Sequence, residues 1–255
     1  MEFKVKKKRI KEKISNPVLI EGLPGIGNVG KVAVDFIIDS LKAKKVIEIY
    51  SYHFPHSVFI NEKNMVELPV IEIYHKKVGK KDFLFLAGDV QPVDEYSCYK
   101  FCDLVLDILE EYGGKEVITL GGIGLQTVPN KPKVYVTGTK WDFVKTFRGA
   151  SNKIYGVVGP IVGVSGVLLG LAKLRKIPSA SLLAQTFGHP AYLGIKGARE
   201  TLKILDKKYK LKLDISQLDE EIEELEDELK SKTQQLMDMK MAEKGKIAGQ
   251  PNYFG

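Results

Sequence analysis

The sequence predicts an α/β protein, with a mainly parallel sheet flanked by helices, then a heptad-patterned helix and a flexible C-terminal tail. Three observations predict it. Apolar runs of strand length alternate with segments of helical spacing across residues 14–212. Several of those runs end in glycine, as strands entering a tight turn do. The run "EVITLGGIG" is apolar without alternation, the pattern of a central strand covered on both faces.

The elements follow in order. Residues 16–20, "NPVLI", form the first expected strand and lead into "EGLPGIGNVG". Val32, Phe36, Ile37 and Leu41 then recur at helical spacing, and "KKVIEIYSY" alternates as a strand, completing a strand–helix–strand unit. "VELPVIEIYH" and "KDFLFLAGD" are two further strands. Residues 94–112 are amphipathic and stop at Gly113-Gly114, so a helix is expected. After "EVITLGGIG", strands are expected in "PKVYVTGT", "NKIYGVVGP" and "SASLLAQTF", with helices over 164–174 and 191–205. The opening "MEFKVKKKRIKEK", with seven basic and two acidic residues, reads as a solvated basic arm.

At Asp214 the composition changes. Residues 214–229 hold nine acids and no base. Beneath them Ile215, Ile222, Leu229 and Leu236 lie seven apart, and Leu218 and Leu225 lead a second series offset by three, interrupted by Lys232. These are a and d positions of a helix that packs on another helix, in a second subunit or in the same chain. The expected division is 14–212, 213–244 and a tail over 245–255 loosened by Gly245, Gly249 and Pro251.

The 255 residues carry a formal net charge of +7, yet only four of 39 basic residues are Arg (Arg9, Arg148, Arg175 and Arg199). That balance does not suit nucleic-acid readout, where Arg dominates. Two cysteines, Cys98 and Cys102, do not make a disulfide framework, and a charged opening without an apolar stretch points to the cytoplasm rather than a membrane or secretion.

Each motif can serve chemistry or packing. Gly25-x-Gly27-x-x-Gly30 sits between a strand and a helix, where backbone N–H groups can cradle phosphate, but tight helix–strand packing needs the same glycines. Gly163-Val164-Ser165 resembles the start of a nucleophile elbow, but Gly166 comes one residue early. A base for Ser165 would come from His53, His56, His75 or His189. Neither His53/His56 nor Cys98/Cys102 has a second pair to complete a metal site. Asp89 and His189, at expected strand ends, are the remaining candidates for a small-molecule site. No catalytic set, metal or cofactor is expected.

Together "EGLPGIGNVGK", "LGGIG", "GPIVGVSGVLLGLA" and "GHPAY" resemble the archaeal proteasome assembly chaperone family, related to the eukaryotic proteasome assembly chaperone two. The resemblance spans residues 16–205. It implies a fold similar to the purine nucleoside phosphorylases without a demonstrated catalytic centre, a homo-oligomer, and α-subunits of the 20S proteasome core particle as partners. It also gives the last residues a role. Proteasome activators end in a hydrophobic residue, a tyrosine and any residue. Here Tyr253, Phe254 and Gly255 stand in that place, with Phe254 keeping the ring and losing the hydroxyl. The alternatives are a nucleoside-phosphorylase-like or carboxylate–amine-ligase-like enzyme using the glycine loop, and a structural homo-oligomer whose tail packs on itself.

Overall fold

The computed structural model describes residues 3–10, 12–189, 192–220 and 222. The chain divides into two compact units, Met1–Asp214 and Ile215–Gly255. Among the described residues of the first, ten strands are β1 (Phe3–Lys7), β2 (Val18–Glu21), β3 (Lys44–Ser51), β4 (Phe59–Ile60), β5 (Val66–Glu67), β6 (Ile71–Val78), β7 (Lys81–Gly88), β8 (Glu116–Leu125), β9 (Val134–Gly138) and β10 (Ser179–Phe187). The helices are α1 (Val29–Leu41), α2 (Glu95–Glu111), α3 (Trp141–Val144), α4 (Val164–Leu174) and α5 (Ile195–Tyr209).

Eight strands form one sheet in the order β1-β3-β6-β7-β2-β8-β10-β9, and β4 and β5 form a separate hairpin. The expected parallel sheet is its centre, where β7, β2, β8 and β10 run parallel. Antiparallel strands extend it on both sides. Alternate residues of each strand serve opposite faces. Leu19, Leu84, Leu86 and Val117 meet Phe101, Val105 and Leu109 of α2 and Leu168 and Ala172 of α4. The other parity, Phe83, Phe85 and Ile118, is equally buried, on the face of α1 and α5; Tyr209 sets its ring edge-on to Phe83 at 5.4 Å. The three-layer α/β architecture follows from these two buried parities.

Four expectations change. The basic arm contains an edge strand, β1, paired antiparallel with β3. Phe3 and Val5 alternate with Lys4 and Lys6, and the apolar pair packs on the core while Lys8 pairs with Glu48 at 2.9 Å and Lys7 with Glu111 at 2.5 Å. "VELPVIEIYH" is split between β5 and β6, since Pro69 has no N–H for the ladder. "NKIYGVVGP" is no strand; it holds one isolated bridge, Tyr155–Val158, and follows another at Tyr135–Ser151, with Gly156 at φ 77° and Pro160 closing the run. The helix expected from residue 191 begins later, at Ile195.

In the second unit, Leu218 N–H donates to the Ile215 carbonyl at 3.1 Å and Asp219 N–H to Ser216 at 2.9 Å, the opening turn of a helix that includes Ile222. Leu225, Leu229, Leu236 and the segment Tyr253, Phe254 and Gly255 lie outside the described residues. Among the described residues no helix is long and apolar enough to cross a membrane.

Candidate functional site

The parallel strands deliver their carboxyl ends to one edge, where open α/β sheets hold ligands. A cleft of about 590 Å³ opens there, between the glycine-rich segment after β2, the end of β8 and residues 157–163 ahead of α4. Its walls are backbone and aliphatic side chains, including Leu23, Ile26, Ile123, Val162 and Leu183. Gln91 and Ser165 supply the polar side chains, and among the described residues no Lys, Arg or His lines it.

Gln91 ties the two loops together. Its side-chain carbonyl accepts Val164 N–H at 3.0 Å, and its amide donates to the Pro24 carbonyl. Beneath the cleft Glu21, the last residue of β2, is fully buried. It accepts Leu23 N–H at 3.0 Å and the Ser165 hydroxyl at 2.9 Å. Burial pushes its carboxyl up to about 7, against the opposing pull of the hydrogen bonds from Leu23 and Ser165. Cys98 and Cys102 of α2 lie buried nearby; the Cys102 Sγ is 3.7 Å from the Val164 carbonyl, and burial pushes its thiol far up.

The residues picked out in the sequence divide. Gly25 and Gly30 line the cleft. Gly30 also lets α1 lie directly on β8: a side chain there would overlap the Leu120 carbonyl. Gly27 faces Thr186, and its carbonyl accepts Gly194 N–H at 2.7 Å. Asp89 stands apart from the cleft walls and pairs with Lys31 at 2.8 Å; Lys31 also holds Asp35 at 2.7 Å. The His189 ring stacks on Phe187 at 5.7 Å. The Ser165 hydroxyl donates its hydrogen bond to Glu21 rather than to an imidazole. His75 bonds Asp82 at 2.7 Å in the buried β6–β7 hairpin, and His53 lies 3.5 Å from Asp94. Among the described residues no group of three or more His, Cys, Asp or Glu could hold a metal ion. Glu21 and Gln91 were missed in the sequence; an acid closing an apolar strand was the available signal.

A second cleft, of about 720 Å³, lies between the end of β3 and the β4–β5 hairpin, lined by Tyr50, Tyr52, Phe54, Val58 and Leu68 among others. Its surroundings are apolar and open: Tyr52 is 89 % exposed and Ile60 72 %, with Met65, Val66 and Leu68 beside them.

A mixed sheet covered on both faces, with a cleft at the carboxyl ends of its parallel strands, makes this an α/β protein of the open-sheet class. The chain belongs to the PAC2 family, whose model matches residues 19–232. The resemblance seen in the sequence is thereby borne out. The uncharacterized protein MJ1210 of Methanocaldococcus jannaschii is 32 % identical over 178 residues, 70 % of this chain and 69 % of that one. The crystal structure of Pyrococcus furiosus PbaB, described as an archaeal proteasome activator, superposes with a TM-score of 0.81 at 34 % identity, covering 90 % of this chain and 98 % of that one. Pyrococcus furiosus PbaA, described as an archaeal homolog of proteasome-assembly chaperone, gives 0.76 at 23 % identity over 98 % of this chain and 100 % of its own, a likeness of fold.

Proposed function

We propose that this chain is a homo-oligomeric proteasome assembly chaperone or proteasome-binding adaptor, acting by binding rather than by catalysis, in the cytoplasm. The observation that carries the reading is the 34 % identity to PbaB across 90 % of the chain. The exposed apolar surface around the β4–β5 hairpin supports it, since patches of that kind mark protein contacts. In this reading the domain over 14–212 is the body, residues 213–244 a packing helix, and residues 245–255 a tail that carries Tyr253, Phe254 and Gly255 to the α-ring of the 20S core particle. An aromatic anchor in a pocket supplies much of the energy of such contacts.

The test is a pull-down of 20S particle and free α-subunits with the full chain and with residues 253–255 removed. Loss of binding with folding unchanged is expected. Phe254→Tyr should bind more tightly, because a pocket group left unpaired by phenylalanine costs roughly 1–3 kcal/mol, and Phe254→Ala more weakly. Equal binding by the shortened chain would move the contact onto the α/β body.

A further inference from the structure

The edge strand β9 borders a hollow of about 480 Å³ on the side of α5. Three segments of chain meet there: the residues entering β9, the turn after α3, and α5 itself. Glu200, Lys203, Ile204 and Lys207 of α5 line it, and their spacing puts them on one helix face. Val134 and Ile204 in the lining are buried, each 6 % exposed. The charged lining is five cations, Lys131, Lys133, Arg148, Lys203 and Lys207, against the single carboxylate of Glu200. All five cations are exposed.

Two observations set this hollow apart. The first is its unbalanced charge. At the other end of the sheet Lys6, Lys8 and Lys45 converge on Glu48. Here Glu200 is already held by Lys203 at 2.8 Å, and among the described residues Lys131, Lys133, Arg148 and Lys207 have no ion pair. The second is the fixed backbone under the charges. Lys133 N–H donates to the Gln185 side-chain carbonyl at 3.0 Å, and its own carbonyl accepts Gln185 N–H at 2.9 Å. Ser151 N–H donates to the Val134 carbonyl and Val136 N–H to the Ser151 carbonyl, both at 2.8 Å. Gly149, at φ 107°, lies against Ile204 of α5. Like charges gathered in this way repel one another, and a concave surface of one sign concentrates counter-ions.

We propose that this hollow binds an oligophosphate group, free or at the end of a larger molecule. Lysine binds phosphate as a point charge, and the planar guanidinium of Arg148 can grip two oxygens at once. Ser151 also lines the hollow; its hydroxyl accepts Lys153 N–H at 3.3 Å and keeps its own proton to donate. An oligophosphate carries several negative charges in a compact body. An extended acidic peptide advances about 3.3 Å per residue and turns alternate side chains away, so it brings fewer charges into the same space. Among the described residues no aromatic side chain lines the hollow, so a nucleobase finds no ring to stack on.

The experiment is isothermal titration of the full chain with sodium tripolyphosphate, beside ATP, sodium citrate and an oligoglutamate peptide. One site per chain is expected, at least about tenfold tighter for tripolyphosphate than for citrate or the peptide. ATP distinguishes the sources. Equal affinity, the expected result, admits a group at the end of a larger molecule; no binding of ATP restricts the ligand to the free form. Affinity should fall at least about tenfold between roughly 50 and 300 mM sodium chloride. It should fall as far in Arg148→Glu and in Lys207→Glu, exposed positions whose folding circular dichroism checks. Lys63→Glu, the same charge change in the exposed turn between β4 and β5, should leave affinity within about twofold. No saturable binding, several sites per chain, or an equal loss in Lys63→Glu would overturn the proposal and leave the hollow a solvated basic face. Tighter binding of the peptide would overturn it in favour of an acidic protein segment, and ATP far tighter than tripolyphosphate in favour of a nucleoside.

Discussion

Glu21 has a cost that grows with pH. Below pH 4.5 it is protonated whether the chain is folded or unfolded. Between 4.5 and about 7 the unfolded chain has lost that proton while the folded one keeps it, so stability falls as pH rises; the full loss is present above 7. At about 1.36 kcal/mol per tenfold in acidity, the rise from 4.5 to about 7 amounts to roughly 3 kcal/mol. Glu21→Gln removes the charge and keeps the shape. Urea unfolding at pH 5 and pH 8 should show the wild type losing roughly 2.5 kcal/mol more than the variant across that interval. Equal losses would show that Glu21 is ionised in the fold. Gly30 gives a second prediction at this scale. Because a methyl there meets the Leu120 carbonyl, Gly30→Ala should destabilise by about 1–3 kcal/mol despite its better helix propensity. Thermal unfolding that shows no loss would mean that α1 can lift from β8 without penalty.

At the scale of elements, α2 shows what local chemistry decides. Its N-cap Asp94 accepts Ser97 N–H at 2.8 Å, and Gly113, at φ 71°, ends it. Asp94→Ala should cost about 1 kcal/mol, read as a lower denaturation midpoint with unchanged slope; no change would assign the start of α2 to packing alone. Both ends of that helix were legible in the sequence, as were α4 and β10, because cap, stop and periodicity are short-range signals. Strand β1 was not: Phe3 and Val5 alternate correctly, but five lysines and arginines in the next six residues read as solvent, and the partner strand begins near residue 44. Residues 152–160 failed in the opposite sense, being apolar enough for a strand but broken by Gly156, Gly159 and Pro160. The site was half legible. Glycines that line or pack the cleft stand out in one dimension. The Glu21–Ser165 bond joins residues 144 apart, and the Gln91 bridge to Val164 spans 73, so only the fold reveals them.

For the molecule as a whole, the clefts lie on different parts of the first unit: one at the carboxyl ends of the parallel strands, the other between β3 and the β4–β5 hairpin. In the proposed function the docking segment offers two rings, Tyr253 and Phe254, so its strength depends on how many copies an assembly presents. Burying one Phe-sized ring contributes roughly 1.5–3 kcal/mol, too little to hold a large particle. Linked copies can exceed the single-site affinity by about 10²–10⁴-fold. Assembly and docking are therefore coupled in the proposed function, and one substitution far from the aromatic segment can test the coupling. Leu225 occupies a core position of the heptad pattern. In a helix–helix seam, Leu225→Asp would bury an unpaired carboxylate and should weaken the assembly by several kcal/mol. Light scattering at micromolar concentration should show smaller particles. Binding to the 20S particle should fall by about 100-fold or more, although Tyr253, Phe254 and Gly255 are untouched. Smaller particles that bind as tightly as the wild type would show that one copy suffices for docking. Particles of unchanged size would move the self-association surface off the heptad series, with the exposed Tyr52 and Ile60 beside the hairpin as the next residues to charge.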